Sequence, residues 1–293
     1  MKNTLIPKEI VATFSIVGFD PATEELGIAV QSKFLGVGAV VPWAKAGVGA
    51  VATQSHANTA YGPEGLELMA AGKTAEETVH LLTEADENRD MRQVGIVDKY
   101  GNAATFTGDG CYDWAGGQTG KYYAAQGNIL VGAETVEAMG RTIEKTGGAL
   151  ADRLLAALDA GQQAGGDSRG RQSAALLVVK ENGGYSGYND RAIDLRVDDH
   201  PKPIQELMRI YQLHQLYFSG EKPAKVVSID ATLRSELIQT LARLGYLNGD
   251  SDITDDDFYE ALVSFHHTEN FEEREQPRGK IDKEVVNFMK EKQ

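Results

Sequence analysis

Apolar segments with strand-like spacing fill the first part of the chain. The segments IVATFSIVGFD (10–20) and LGIAVQSKF (26–34) flank the turn DPATEE, so we expect two strands paired as a hairpin. Two further apolar runs, Val37–Val41 and Val48–Gln54, predict two more buried strands with a Pro-Trp-Ala-Lys turn between them. Later strands are indicated by RQVGIVD, NAATFTG, YYAAQGNIL, SAALLVVK and RAIDLRV.

Helical spacing occurs mainly in pairs between these strands. One helix is expected from near Gly62-Pro63, because proline is tolerated early in a helix. A second is expected from Thr74, whose spacing to Glu77 is that of a capping box. Periodicity predicts three more helices, at about 133–146, 149–164 and 203–218.

The order of these elements constrains the fold class. Four strands, two helices, three strands, two helices, two strands and one helix do not alternate regularly, so a doubly wound parallel sheet is disfavoured. Hairpin-connected strands with helices inserted in pairs suit two stacked sheets covered on both outer faces. We therefore expect an α+β domain, a four-layer αββα sandwich.

A change of composition near residue 222 predicts a second domain. The segment SGEKPAK (219–225) is typical of a linker, and the residues after it show helical patterns with almost no strand signal. We expect a domain over 1–222, with 1–12 as a leader extension, and a small three-helix, all-α domain over 223–293. Thr254, followed by three aspartates, is typical of a helix start.

Charge and cysteine content exclude several classes of protein. The net charge of −14 disfavours nonspecific nucleic-acid binding, and no apolar run reaches the about 20 residues that span a bilayer. A single cysteine, Cys111, excludes an intrachain disulfide and a four-cysteine zinc site. The N-terminal residues lack the apolar core of a secretory signal, so we expect a cytoplasmic protein.

Three segments resemble cofactor-binding or metal-binding motifs, but the residues around them do not fit such sites. The GVGAVA segment at 47–52 matches a dinucleotide fingerprint in letters but lies inside an apparent strand, with no helix starting there. The acidic segment from Asp250 lacks the glycine and the final acid of a calcium loop. Asp198-Asp199-His200 has no second histidine at ligand spacing. We expect no cofactor and no metal.

The first strand carries the strongest candidate chemistry. Thr13 and Ser15 are two residues apart, so their hydroxyls share one face of the strand. Hairpin pairing would bring the end of the second strand, with Ser32 and Lys33, near Thr13. A hydroxyl nucleophile needs a base, which a lysine or a free α-amine can supply. The alternative is that both hydroxyl residues are simply β-favouring residues in a buried strand.

Other polar residues follow predicted strands. His56 and Asn58 follow the fourth strand, Gln126 and Asn128 flank Gly127, and Arg171 and Ser173 precede another strand. Asparagine side chains can stabilise an oxyanion, and arginine can hold a carboxylate. Each could equally be a turn or capping residue.

Several ordered segments together resemble a bacterial family catalogued as domain of unknown function 1028. They cover nearly all of residues 11–215 and comprise ATFSIVGFDPATEELGIAVQSKF, VPWAKAGVGAVATQSHANTAYGPEGL, RQVGIVD, the Cys-Trp-Ala-Gly region, YAAQGNIL, GGDSRGRQSAALLVV and DLRVDDHP. The resemblance implies the αββα fold of N-terminal-nucleophile (Ntn) hydrolases. It also implies a nucleophile at Thr13, whose own amine would serve as the base. Twelve residues precede Thr13, so that mechanism requires cleavage between Ala12 and Thr13.

The C-terminal segment resembles the peptidoglycan-binding-like domain that follows this family in some members. The resemblance rests on the stripe Leu233, Leu237 and Leu241 with Leu244-Gly245-Tyr246, then on 261–265 and on Gly279-Lys280-Ile281. It implies a wall-binding, dimerisation or docking module.

Residues and resemblance together lead to a hypothesis: an amidohydrolase acting on small molecules or short peptides. The expected catalytic residues are Thr13, Lys33, His56 and Asn128. The expected substrate-binding residues are Ser15, Ser32, Asn58, Arg171 and Ser173. Asn58 remains an alternative to Asn128 as the residue that stabilises the oxyanion. Lys33, acting as the base on an internal Thr13 or Ser15, remains an alternative to the free α-amine.

Two other functions stay open at this point. The first domain could be a non-catalytic ligand-binding scaffold with an intact leader. The protein could also be associated with cell-wall peptide through its C-terminal domain. A homo-oligomer is also expected.

Overall fold

In the computed structural model, which describes residues 13–218, 225–248 and 253–292, the chain is α+β with antiparallel sheets. The strands of the larger sheet are β1 (Thr13–Asp20), β2 (Glu25–Ser32), β7 (Gly116–Gly120), β8 (Tyr123–Gly127), β9 (Ser173–Val179) and β10 (Arg191–Val197). Their order is β10-β9-β2-β1-β8-β7. The smaller sheet has β3 (Pro42–Lys45), β4 (Gly49–Ser55), β5 (Arg92–Asp98) and β6 (Ala103–Thr107), in that order.

The hairpin predicted for the first two strands is confirmed. β1 and β2 pair antiparallel over eight residues each, from Asp20 opposite Glu25 to Thr13 opposite Ser32. The turn is held by Asp20, whose Oδ1 accepts a hydrogen bond of 2.9 Å from the backbone N–H of Ala22. Because side chains alternate along a strand, this register places Thr13 and Ser32 on the same face. The part of the predicted strand before Thr13 lies outside the described residues.

The helices of the first domain lie against the two sheets in pairs. They are α1 (Tyr61–Ala70), α2 (Ala75–Glu84), α3 (Glu134–Lys145) and α4 (Leu150–Gln163). Side chains from α3 and α4 share one apolar cluster with the larger sheet, and α1 and α2 share another with the smaller sheet. A third apolar cluster joins inward-facing residues of both sheets. The capping box predicted at Thr74 and Glu77 is present at the start of α2.

The prediction for residues 37–45 was wrong. Val37–Ala39 forms a 3-10 turn rather than a strand, and the supposed turn is strand β3. Gly36 has φ 65° and redirects the chain, and the Val37 N–H then donates to Ser173 Oγ at 3.1 Å. Val37 and Val41 are apolar because they fill the core between the sheets. Proline can open β3 because that strand lies at the edge of its sheet.

Strand β7 was also missed. Its sequence, GGQTG, is rich in glycine and contains no β-branched apolar residue, so it gives no strand signal. It still pairs with β8 along its full length. The first domain thus has four strands between its two helix pairs where the sequence predicted three.

The last part of the chain is a helical region with a small sheet. Contacts between residues divide the chain between Tyr211 and Gln212, within α5 (Pro203–Phe218). The second unit contains α6 (Ala231–Arg243), α7 (Asp255–Thr268) and α8 (Lys283–Glu291). Its strands β11 (Val226–Ser228) and β12 (Lys280–Asp282) pair antiparallel.

The sequence predicted an all-α second unit, so these two short strands were not expected. A strand of three residues is too short to show the alternation of apolar and polar positions by which strands are predicted. The helix start predicted at Thr254 is confirmed. The boundary predicted near residue 222 lies outside the described residues. No helix among the described residues combines the length and apolar composition needed to cross a membrane.

Candidate functional site

Thr13 lies at the start of β1 and is fully buried, and its hydroxyl and carbonyl oxygen are hydrogen-bonded. Its Oγ1 donates to Ser32 Oγ at 3.1 Å. Its carbonyl oxygen accepts from the Asn128 N–H at 3.0 Å and from Gln54 Nε2 at 3.3 Å. Three chain segments therefore fix the hydroxyl and the carbonyl of the residue that the sequence singled out as nucleophile.

A layer of amide side chains surrounds Thr13 between the two sheets. We call Ser15, Gln54, Gln93, Gln126 and Asn128 the amide network. Gln126 Nε2 donates to Ser15 Oγ at 2.7 Å, and Ser15 Oγ donates to Gln54 Oε1 at 2.7 Å. Gln93 Oε1 accepts from Gln54 Nε2 at 2.8 Å and from Asn128 Nδ2 at 2.9 Å. All five residues are fully buried, which fixes their geometry.

Two members of the amide network were missed in the sequence. Gln54 lies in AVATQS and Gln93 in RQVGIVD, strands in which most positions are small or apolar. A long polar side chain at an inward-facing strand position is the signal that could have found them. That signal needs the inward face to be known, and only the packing of the sheets reveals it.

Two acceptors of the amide network have no hydrogen-bond partner among the described residues. They are Gln126 Oε1 and Asn128 Oδ1. A buried acceptor without a partner costs about 1–3 kcal/mol and is rare in native structures. Both residues belong to the amide network, and Asn128 is joined to Thr13 by its backbone N–H.

Backbone strain occurs at the same end of the sheets. Ser55, the last residue of β4, has φ 68°, and Ile129, which follows Asn128, has φ 52°. Residues other than glycine avoid this left-handed region, and β-branched isoleucine does so most strongly. The backbone of Ile129 is held by a hydrogen bond to Tyr112 O at 3.0 Å and one from Ser168 N at 2.9 Å. Strain of this kind clusters at functional sites.

The lysine considered as a base lies next to the site in sequence and is exposed to solvent. Lys33 follows Ser32, and its backbone N–H donates to Asp167 Oδ2 at 3.0 Å. Because successive side chains of a strand alternate, the residue that shares a face with Thr13 is Ser32 and not Lys33. Asp167 is buried and also forms an ion pair with Arg169, 2.9 Å between Oδ2 and Nη2. The sequence did not single out Asp167.

The remaining candidates on the β9 side have different surroundings. Arg171 is exposed. Ser173 is buried, and its Oγ donates to Phe34 O at 2.5 Å while accepting from Val37 N at 3.1 Å. Ser173 therefore anchors the 3-10 turn that follows β2.

His56 and Asn58 follow β4 and adjoin a buried ion pair. Arg92 donates to His56 O at 2.6 Å and, through Nε, to Asp86 Oδ2 at 2.8 Å. Asn58 Nδ2 donates to the same carboxylate at 3.4 Å, and Tyr61 donates to it at 3.0 Å. Burial and the Asp86 charge together raise the pKa of Tyr61, so its hydroxyl stays protonated. Asn58 thus takes part in the network around Asp86.

Cys111 is buried, and burial is the largest cause of its raised pKa, with the charge of Asp109 a smaller one. The thiol form is therefore favoured. Among the described residues, no group of three or more His, Cys, Asp or Glu side chains could hold a metal ion.

Comparison with known proteins gives two family matches. A model described as "Family of unknown function (DUF1028)" matches residues 13–207. A model described as "Putative peptidoglycan binding domain" matches residues 217–289. No curated protein matches the chain.

Solved structures give further likenesses. The crystal structure of protein SPO2555 from Silicibacter pomeroyi, assigned to the same first family, is 33% identical with a TM-score of 0.63, and the match covers 70% of this chain and 89% of that chain. Anbu, an ancestral beta-subunit from Yersinia bercovieri, is 12% identical with a TM-score of 0.32, and the match covers 72% of this chain and 98% of that one.

Proposed function

We propose that this chain, which belongs to the family of unknown function DUF1028, is an amide hydrolase of the N-terminal-nucleophile type. Its substrates would be amide bonds of small molecules or short peptides. We propose further that the two sheets and their flanking helix pairs are the four-layer αββα sandwich of that class. The match to the family model begins at Thr13, the residue assigned as nucleophile.

One observation carries the proposal: hydrogen bonds hold both the hydroxyl and the carbonyl of Thr13 beside the amide network, between the two sheets. Ser32 accepts from the hydroxyl, while Asn128 and Gln54 donate to the carbonyl. A nucleophile needs this kind of fixed orientation, since a misplacement of about 1 Å can cost about 100-fold in rate.

The mechanism starts with cleavage of the peptide bond between Ala12 and Thr13. In this step the Thr13 hydroxyl would attack the Ala12 carbonyl carbon, the Thr13 nitrogen would leave as a free α-amine, and water would hydrolyse the resulting ester to release residues 1–12. The freed α-amine has an ordinary pKa of about 7.7–8.0, so it can accept the Thr13 hydroxyl proton near neutral pH. Oγ1 then attacks the amide carbonyl carbon, and the tetrahedral intermediate collapses as the amine product takes the proton and leaves. Water hydrolyses the resulting ester at Oγ1, which releases the acid and restores the hydroxyl.

The other candidate residues receive supporting roles. We assign the oxyanion to Asn128 rather than Asn58 because of position: the backbone N–H of Asn128 donates to the Thr13 carbonyl, which places Asn128 beside the nucleophile, whereas Asn58 lies beside Asp86. Ser32 and Ser15 would orient the nucleophile and the amide network. Lys33 and His56 would tune the electrostatics of the site.

The arginine on the β9 side would provide substrate recognition. Arg171 is exposed and therefore able to meet a substrate carboxylate from solvent. Ser173 would act indirectly, by fixing the turn after β2.

Intact-mass spectrometry tests the proposal most directly. We expect loss of the first twelve residues on incubation at neutral pH, and no such loss in Thr13→Ala. The processed protein should hydrolyse members of a panel of amides and short peptides, and Thr13→Ser should retain measurable activity. A protein that stays at full length and hydrolyses nothing would favour a non-catalytic ligand-binding scaffold.

A second candidate function rests on the match at 217–289. That match favours association with cell-wall peptide through the helical unit. Co-sedimentation of the full-length protein with isolated sacculi should then remove it from solution, with Thr13→Ala behaving as the wild type does. Failure to co-sediment would remove this candidate and leave the hydrolase proposal untouched.

A further inference from the structure

One residue that lines a cleft in the helical unit, His266, has a buried hydrogen-bond acceptor with no partner among the described residues. The cleft has a volume of about 370 Å³ and lies between α7 and the segment that leads into β12. This volume falls within the range of about 300–1,000 Å³ typical of ligand sites. The lining includes Leu262, Val263, His266 and Ile281, with charged residues among the rest.

His266 is the residue that gives this cleft its chemistry. It is only 3% exposed, and its Nδ1 lies 2.7 Å from the carbonyl oxygen of Leu262. A carbonyl can only accept, so Nδ1 carries the hydrogen and Nε2 of the neutral ring is an acceptor. Among the described residues Nε2 has no hydrogen-bond partner, although it is buried. An N–H of a ligand in the cleft would supply that partner.

The charges in the cleft lining have both signs. Glu260 and Lys280 line it, and neither forms an ion pair with another described residue. A ligand that carries one ammonium and one carboxylate group would complement both. Leu262, Val263 and Ile281 offer an apolar surface to a side chain between those two ends.

The aromatic ring of the cleft, Tyr259, already contacts two side chains of this unit. Arg278 lies over the Tyr259 ring at 4.9 Å, and Phe258 packs edge-on against it with centroids 4.9 Å apart. The Tyr259 hydroxyl accepts from Gly279 N at 2.7 Å. A sugar that stacked on the face under Arg278 would have to displace this guanidinium. The charges of both signs in the lining favour a peptide over a neutral saccharide.

We propose that this cleft binds a short zwitterionic peptide, whose backbone N–H donates to His266 Nε2 while its carboxylate pairs with Lys280. The inference rests on the second candidate function, wall-peptide binding, and deepens it by naming the site and the part of the ligand that is recognised. It is independent of hydrolysis at Thr13.

The test uses full-length protein labelled with ¹⁵N-histidine. The chain has six histidines, so the ring nitrogens can be resolved and His266 assigned by its loss in His266→Phe. The probes are leucyl-alanine, its C-terminal amide and N-acetylglucosamine. We expect leucyl-alanine to shift the His266 Nε2 resonance saturably, the amide to bind about 2- to 12-fold more weakly, and the sugar to cause no shift.

Variants distinguish a loss of binding at the cleft from a loss of folding. His266→Phe lacks the reporting resonance, so its binding is followed by isothermal titration calorimetry, where saturable binding of leucyl-alanine should be lost. Lys280→Gln should reduce the affinity for leucyl-alanine to that of the amide. Lys280 is exposed, so this variant keeps the proposal testable if His266→Phe fails to fold. His80→Gln, at an exposed histidine in the first unit, is the control and should bind as the wild type does.

Two results would overturn the proposal. One is the absence of a saturable leucyl-alanine shift at His266 in folded protein. The other is a shift of equal size from N-acetylglucosamine. Sacculus co-sedimentation together with either result would retain wall association and reject this cleft as its peptide site, so the two proposals can fail separately.

Discussion

At the scale of single residues, Gly95 on β5 lets the two sheets approach each other beside the amide network. A Cβ at this position would lie 2.0 Å from Gln126 Oε1 and 2.4 Å from its Cδ. Gln126 cannot yield without leaving Ser15, to which it donates at 2.7 Å. The absence of a side chain at Gly95 is therefore a requirement of the site's geometry.

Gly95→Ala should destabilise the protein by about 1–3 kcal/mol, because it overpacks a closely packed core. Urea unfolding measures the change. The matched control is Gly147→Ala, where an added Cβ meets nothing within 4 Å. If the two variants unfold alike, Gln126 is not held where the structure places it.

The lowered pKa of Asp86 predicts that this residue contributes to stability in a pH-dependent way. Burial is the largest influence and opposes ionisation, but hydrogen bonds from Arg92, Asn88 and Tyr61 outweigh it, so the pKa of Asp86 is lowered. A carboxyl whose folded pKa is lowered stabilises the fold above its unfolded pKa. That stabilisation is lost as the pH falls through the folded value.

Asp86→Asn should therefore cost about 1–3 kcal/mol at neutral pH, and the difference from wild type should narrow below about pH 4. Urea unfolding across pH 3–7 tests this, with the exposed Asp90→Asn as control. A cost that does not change with pH would show that the Asp86 charge contributes nothing to stability.

At the scale of elements, the start of α2 shows how a local pattern fixes a boundary. Glu77 N–H donates to Thr74 Oγ1 at 3.2 Å, and Thr74 N–H donates to Glu77 Oε2 at 3.0 Å. Two otherwise unpaired donors of the first turn are thereby satisfied.

Thr74→Ala removes one of these partners and should cost about 0.5–2 kcal/mol in thermal or urea unfolding. Thr74→Ser keeps the hydroxyl and should restore most of the loss. Equal losses in both variants would assign the effect to the threonine methyl group and not to the cap.

The mistakes in element prediction share a physical cause. Val37–Val41 is apolar because it fills space between sheets, whereas β7 is hydrogen-bonded without being apolar. A hydrophobic pattern indicates that a segment is buried. A buried segment forms a strand only where a neighbouring strand is available for pairing.

At the scale of the whole molecule, the two units have separate apolar clusters. Leu241 is fully buried in the cluster of the second unit, and Leu154 in a cluster of the first. Each cluster is built mainly of residues from its own unit, so damage to one should remain local.

Leu241→Ala should lower amide hydrogen-exchange protection in the second unit, with a cost of about 2–5 kcal/mol. Leu154→Ala should do the same in the first unit. Loss of protection in both units from either substitution would show that they unfold together.

The sequence by itself determined the local features of this protein. The β1–β2 hairpin, the capping box at Thr74, the helix start at Thr254, the family and the prominence of Thr13 follow from residues close together in the chain. Hydrogen bonds and periodicity within a few residues are enough to specify them.

Tertiary structure alone decided how the candidate site is assembled. Gln54 and Gln93 lie 39 residues apart, and Ser15 and Gln126 lie 111 apart, yet the facing sheets bring each pair into hydrogen-bond contact. The same packing placed Asn128 beside Thr13 and Asn58 beside Asp86. The sequence alone could not decide which of these two asparagines lies near Thr13. Such contacts depend on strand register and sheet stacking, to which residues distant in sequence contribute jointly.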